Sequence, residues 1–154
     1  MRPHQKACFS VLLMLGVSAV QATSCGDVAC SVGERVTVYA TKAEPAATCP
    51  TEALADYANF ELSLAAVSVG LGAKMPPSIQ DFEDSLSGET KTMIDAYRKK
   101  AGVASITEAF SACGSAKGKQ HVIILELPEG SAMAKVLPAS GKVPYWLPRG
   151  SLDK

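Results

Sequence analysis

The chain has 154 residues with 15 basic and 15 acidic side chains, and its length suits one domain. The balanced charge, with no basic run longer than Arg98-Lys99-Lys100, argues against nucleic acid as a partner. We find no phosphate-binding glycine loop, metal-ligand cluster or nucleophile motif, so we assign no catalytic residue, metal or cofactor.

Residues 1–22 have the order of an export signal. Arg2 and Lys6 precede an apolar run from Phe9 to Val20, and small residues follow at the positions that a signal peptidase reads. The run is about a dozen residues, whereas a spanning helix needs roughly 20, so we predict cleavage after Ala22. Lipidation of Cys25 is the alternative. No transmembrane segment is predicted in the mature chain, which we place in the periplasm or outside the cell.

The mature chain opens with a segment containing Cys25 and Cys30, and a strand is predicted over Glu34–Thr41 because apolar and polar residues alternate there. After a loop, a long apolar helix is predicted from Pro50 to Leu71. Proline suits its first turn, with Thr48 or Cys49 as the cap.

Two stripes run along this predicted central helix at helical spacing. The large residues should fill the core, whereas the small ones should let another helix or the sheet pack closely over Ser63 and Ala66. The first stripe is Tyr57, Phe60, Leu64, Val67 and Leu71, and the second is Asp56, Asn59, Ser63, Ala66 and Gly70.

Three shorter helices and a second strand should follow. The helices are predicted from Ser78, from Glu89 to Lys100, and after a capping box that opens at Ser105. The strand is predicted over His121–Leu127, and Ser131–Leu137 is left open between strand and helical turn. Together these elements predict a single α+β domain over residues 23–137, with about four helices packed on a small sheet.

The last segment, residues 138–154, is rich in Pro, Gly and Ser and is predicted to be a tail. Its cluster Tyr145, Trp146 and Leu147 would either cover the core or bind a partner. We therefore name these three residues as the candidate partner-binding site.

Four cysteines remain after cleavage, and an even number in an exported chain predicts two disulfides. We favour Cys49–Cys113, with Cys25–Cys30 by elimination, although the other pairings stay open. A Cys49–Cys113 bond would close a loop of about 65 residues, which is worth roughly 3–4 kcal/mol on the chain-entropy estimate.

Individual polar residues add little evidence for catalysis. Cys49 lies at a predicted helix N-terminus, where a thiol is acidified, but no second cysteine follows at Cys-x-x-Cys spacing. His121, the single histidine of the mature chain, opens a strand, and we expect Asp56 and Glu61 to be solvated or to cap a helix.

These observations favour an exported, non-catalytic binding or assembly protein of the bacterial envelope, of which an inhibitor or immunity protein would be one form. Its expected partner is another envelope protein. The alternatives are a thiol-dependent oxidoreductase that uses Cys49 and a small-ligand carrier with its pocket between the central helix and the sheet. The oligomeric state does not follow from the sequence.

Overall fold

A computed structural model describes residues 23–42, 44–141 and 143–154, so the predicted export signal lies outside the described residues. The structure has four helices, a five-stranded antiparallel sheet and a separate two-stranded sheet. Disulfides join Cys25 to Cys30 and Cys49 to Cys113. The predicted α+β fold with two disulfides is confirmed.

Each helix starts directly after a serine or threonine. The side chains of Thr51, Ser78 and Ser105 accept hydrogen bonds from backbone N–H groups in the first turn of their helices. Because Thr51 caps the central helix, Pro50 lies outside it and not in its first turn as predicted. The helices are α1 Glu52–Gly70, α2 Ile79–Ser85, α3 Gly88–Ala101 and α4 Ile106–Ala112.

The larger sheet has the strand order β6-β5-β4-β1-β7, and β2 pairs with β3 in the smaller one. The open segment Ser131–Leu137 contains a strand. The strands are β1 Arg35–Val38, β2 Ala47–Thr48, β3 Gly114–Ser115, β4 Gln120–Glu126, β5 Met133–Pro138, β6 Tyr145–Pro148 and β7 Leu152–Asp153.

The two edge strands, β6 and β7, are joined by the short 3-10 turn Arg149–Ser151. Four residue steps reach at most about 14 Å, whereas the edges of a flat five-stranded sheet lie about 19 Å apart. The sheet is therefore curled. One hydrophobic core is formed mainly by its strands, and it contains Val36, Val38, Val122, Ile124, Val136, Leu147 and Leu152.

The segment predicted to be a tail contains β6 and β7, which pair with strands of the predicted domain. Residues Met133–Val136 of β5 pair with Tyr145–Pro148 of β6, and Thr37 and Val38 pair with β7. These strands are short and flanked by proline and glycine, so their sequence lacks the alternation that marks a strand. Pairing with distant residues decides their conformation.

A second core joins the helices to β5 and β6, and α1 lies at its centre. The buried side of α1 is concentrated in its first half, where Asn59 donates to and accepts from the backbone of Ala47 in β2. The prediction that Ser63 and Ala66 lie under a closely packed neighbour is wrong, because both are exposed. With 19 residues, α1 is longer than the helices beside it, so its end extends past them.

Candidate functional site

One of the two disulfides connects distant parts of the chain. Cys49 lies between β2 and α1, and Cys113 follows α4, so their bond ties the start of the central helix to the end of the last one. Cys49 is fully buried. In this oxidised state its sulfur is therefore not a free thiolate for the chemistry that the oxidoreductase alternative requires.

The candidate partner-binding residues lie on β6. Trp146 is buried in the core beneath the helices and Leu147 in the core of the sheet, because neighbouring residues of a strand point to opposite faces. Tyr145 is half-buried. The positions of Trp146 and Leu147 fit the alternative in which this segment covers the core, and binding of a partner by these residues stays a prediction.

A cluster of polar and charged groups, in which Tyr57 and Glu83 are buried, lies where α1, α2 and α3 meet. The Tyr57 hydroxyl donates to Glu83 Oε2 at 2.5 Å, and Arg98 Nη1 donates to Glu83 Oε1 at 2.8 Å. Arg98 also pairs with Asp95, and Lys91 Nζ lies 2.7 Å from the same Asp95 oxygen. Burial and the neighbouring Glu83 raise the pKa of Tyr57, so its hydroxyl keeps the proton. The cluster holds α2 and α3 against α1.

Glu61 of α1 is the exceptional member of this region. It has no exposed surface, and neither carboxyl oxygen has a hydrogen-bond partner among the described residues. Burial, with a contribution from the nearby charge of Glu83, raises its pKa to about 7. The expectation of a solvated or capping Glu61 is therefore wrong. The sequence contains one indication of this burial, because Glu61 lies one turn after Tyr57 on the same side of the helix.

Replacing Glu61 by glutamine should remove a pH dependence of stability. The unfolded side chain loses its proton near 4.5 and the folded one near 7, so the stability fully present below pH 4.5 is lost progressively as the pH rises from there through 7. Glu61→Gln stays neutral, and at pH 8 it should be more stable than the wild type by about 3 kcal/mol.

Urea unfolding at pH 4 and pH 8 measures this difference. The exposed Glu129→Gln is the matched control and should follow the wild type at both values. Parallel pH curves for Glu61→Gln and the wild type would show that Glu61 titrates normally in the folded protein.

The second half of α1 forms one wall of an apolar groove with a volume of about 470 Å³. Val69 and Met75, which line this groove, are 49% and 43% exposed. Large apolar side chains left this exposed and adjacent are uncommon on a protein surface unless they contact something. The groove is lined by Leu62, Ala66 and Val69 of α1, by Met75 and Ile79 on the opposite side, and by Lys42.

The predicted pocket between the central helix and the sheet has a partial counterpart. A smaller cavity of about 240 Å³ lies between Asn59 and Phe60 of α1 and Met133 of β5. It is about half the volume of the groove, and it lies below the range of about 300–1,000 Å³ usual for ligand pockets. The groove is therefore the larger binding surface on α1.

His121 lies on the outer face of the sheet, where its Nδ1 is 3.2 Å from the hydroxyl of Thr37.

The described part of the chain contains no group of three or more His, Cys, Asp or Glu side chains placed to hold a metal ion. Nor does any helix in that part combine the length and apolarity needed to cross a bilayer.

Asp56, the other carboxylate considered on α1, pairs with Lys100 of α3 at 2.9 Å. It therefore serves as a surface contact between two helices.

Comparison of the chain with protein-family models, with curated proteins and with solved structures finds no match. The function is accordingly inferred from the chain's own geometry.

Proposed function

We propose that this chain is an exported, non-catalytic binding protein of the bacterial envelope, and that it contacts a protein partner through the groove beside the second half of α1. The observation that carries the proposal is the apolar groove itself, along which Ala66, Val69 and Met75 are exposed. Exposure of such an apolar surface to water is unfavourable, and binding of a partner would remove this free-energy cost. The two disulfides and the leader-like N-terminus support export.

The groove suits an amphipathic helix that carries an acidic residue beside its apolar side chains. Apolar residues provide most of the lining, and Lys42 is the single charged residue among the described ones that line it. No ion pair within the described residues involves Lys42, so a carboxylate of the partner could pair with it. Helices that bind grooves present apolar anchors at a spacing of three to four residues, which an elongated wall such as α1 accommodates.

Two other occupants fit less well. In a symmetric dimer built from this groove, both copies would contribute Lys42 and the lining would contribute no acidic residue. A small ligand would remain largely exposed, because the groove lies on the surface beside the exposed end of α1, whereas small-ligand sites cover most of their ligand.

A photo-crosslinking amino acid placed at Ala66 tests this function in the native periplasm. Ala66 is exposed and lines the groove, so the label would face the partner without disturbing the core. We expect a covalent adduct with one protein, and mass spectrometry should locate the bond in a segment with helical apolar spacing and an acidic residue. Adducts with a second copy of this chain, with lipid or with nothing would contradict the proposal.

Substitution of the groove should abolish this complex without unfolding the protein. Ala66→Arg places a long cation in the groove and should weaken binding by at least tenfold, because burying an unpaired charge costs more than 1.4 kcal/mol. Ala96→Arg is the matched control, since Ala96 is also an exposed helical alanine and does not line the groove. Equal binding by the two variants, measured with the crosslinked partner in purified form, would place the contact elsewhere.

A further inference from the structure

We propose that the protonation of Glu61 controls whether α2 stays docked against α1, and that it thereby sets the shape of the groove. With Glu61 neutral, α2 is held in place; when Glu61 ionises, α2 loosens and one wall of the groove is lost. The consequence for partner binding rests on the proposed function, whereas the movement of α2 can be measured without any partner.

The first step is that one short helix belongs to both features. Ile79 at the start of α2 lines the groove, and the buried Glu83, one turn later, lies in the cluster with Tyr57 and Arg98. Glu83 accepts hydrogen bonds from Tyr57 of α1 and from Arg98 of α3, which anchor α2 to both neighbours. Any change that disturbs Glu83 therefore reaches the wall of the groove through a single turn of helix.

The second step concerns the charges that face Glu61. The groups are Tyr57 on its own helix, Glu83 on α2, and Lys91 and Arg98 on α3. Both cations already pair with Asp95, and Arg98 also pairs with Glu83. An ionised Glu61 would thus be a second buried carboxylate beside Glu83 with no hydrogen-bond donor of its own among the described residues. Such a charge is stable only if water or a rearrangement reaches it.

The third step is that α2 is the helix that can move away from α1. It has seven residues, whereas α1 is secured through Cys49 to Cys113 and α3 has fourteen residues. The segment before α2 is exposed at Leu71, Lys74 and Met75. Short segments with few buried contacts open at a lower free energy than the core. Displacement of α2 would admit water to Glu61 and relieve its repulsion with Glu83.

The size of the pH effect on the docking of α2 follows from the difference between the pKa of Glu61 in the docked and undocked states. The pKa of Glu61 is about 7 in the docked state, from an ordinary value of 4.5 that solvation of the side chain would restore. Between pH 6 and pH 8 the ratio of docked to undocked α2 should therefore fall about tenfold. Conversely, a partner that needs the docked groove would raise the affinity of Glu61 for its proton.

Amide hydrogen exchange of the purified, oxidised protein tests the movement. We expect the α2 amides to be less protected than those of β4, and their protection, corrected for the intrinsic pH dependence of exchange, to fall about tenfold between pH 6 and pH 8. In Glu61→Gln it should not change. Protection of α2 equal to that of β4, or constant with pH in the wild type, would overturn the proposal without any need for the variant.

The crosslinker at Ala66 separates this proposal from the function. Capture of the partner should fall between pH 6 and pH 8 in the wild type and stay constant in Glu61→Gln. Partner capture with no change in α2 protection would refute control by Glu61 and leave the binding function standing. A pH-dependent α2 with no protein captured would refute the function and leave the movement of α2 standing.

Discussion

Removing the Cys49–Cys113 disulfide by changing both cysteines to alanine is expected to lower the free energy of unfolding by about 4 kcal/mol. The bond joins residues 64 apart in sequence, so its loss releases a long loop in the unfolded chain. It also leaves the start of α1 without its covalent link to the end of α4. Urea unfolding followed by the fluorescence of Trp146, which lies in the same core as Cys49, measures the change.

The second disulfide is the matched control for this experiment. Cys25 and Cys30 are only 5 residues apart, and the same entropy relation assigns their bond about 2 kcal/mol. The double alanine variant at Cys25 and Cys30 should therefore lose less stability than the variant at Cys49 and Cys113. The reverse order would mean that the short bond, and not the long one, secures the fold.

Substitution of Arg98 by methionine is expected to cost about 3–5 kcal/mol, the range for leaving one member of a buried ion pair without its partner. Glu83 has no exposed surface, and Arg98 is the cation that donates to it at 2.8 Å. Tyr57 still donates to Glu83 in the variant, so one hydrogen bond remains. Methionine keeps most of the apolar length of the side chain, and the loss therefore reports on the charge.

Lys100→Met is the control for this substitution, because it removes a cation of similar length from the same helix. Lys100 is mostly exposed and pairs with Asp56 at the surface, where an ion pair is worth about 0–1 kcal/mol. Unfolding in urea at pH 7 should rank Arg98→Met well below Lys100→Met in stability. Similar losses from both would show that Glu83 gains little from the guanidinium.

The contacts that stabilise the fold and the surface proposed for binding lie on opposite halves of α1. The first half carries the link through Cys49, the bond from Asn59 to β2 and the contact of Tyr57 with Glu83. The second half carries Ala66 and Val69, which are exposed and line the groove. Substitutions in the second half should therefore change binding with little effect on stability.

Much of the fold could be predicted because its signals are local. Ser78 and Ser105 predicted the starts of two helices, since a capping side chain bonds to backbone within its own turn. The run of apolar residues within His121–Leu127 predicts the strand β4. The cysteine count and the helix positions predicted both disulfides, which the structure confirms.

The tertiary structure decided what depends on distant residues. The strands β6 and β7 exist because β5 and β1 offer them backbone partners, and short segments rich in proline carry no such information themselves. The apolar spacing of α1 continues to Leu71, yet burial stops where the neighbouring helices stop. Glu61 lies one turn after Tyr57, but a carboxylate on a helix is ordinarily solvated, and it is buried because α2 and α3 close over it. Local chemistry thus determined the elements, whereas packing alone determined which of their side chains meet water.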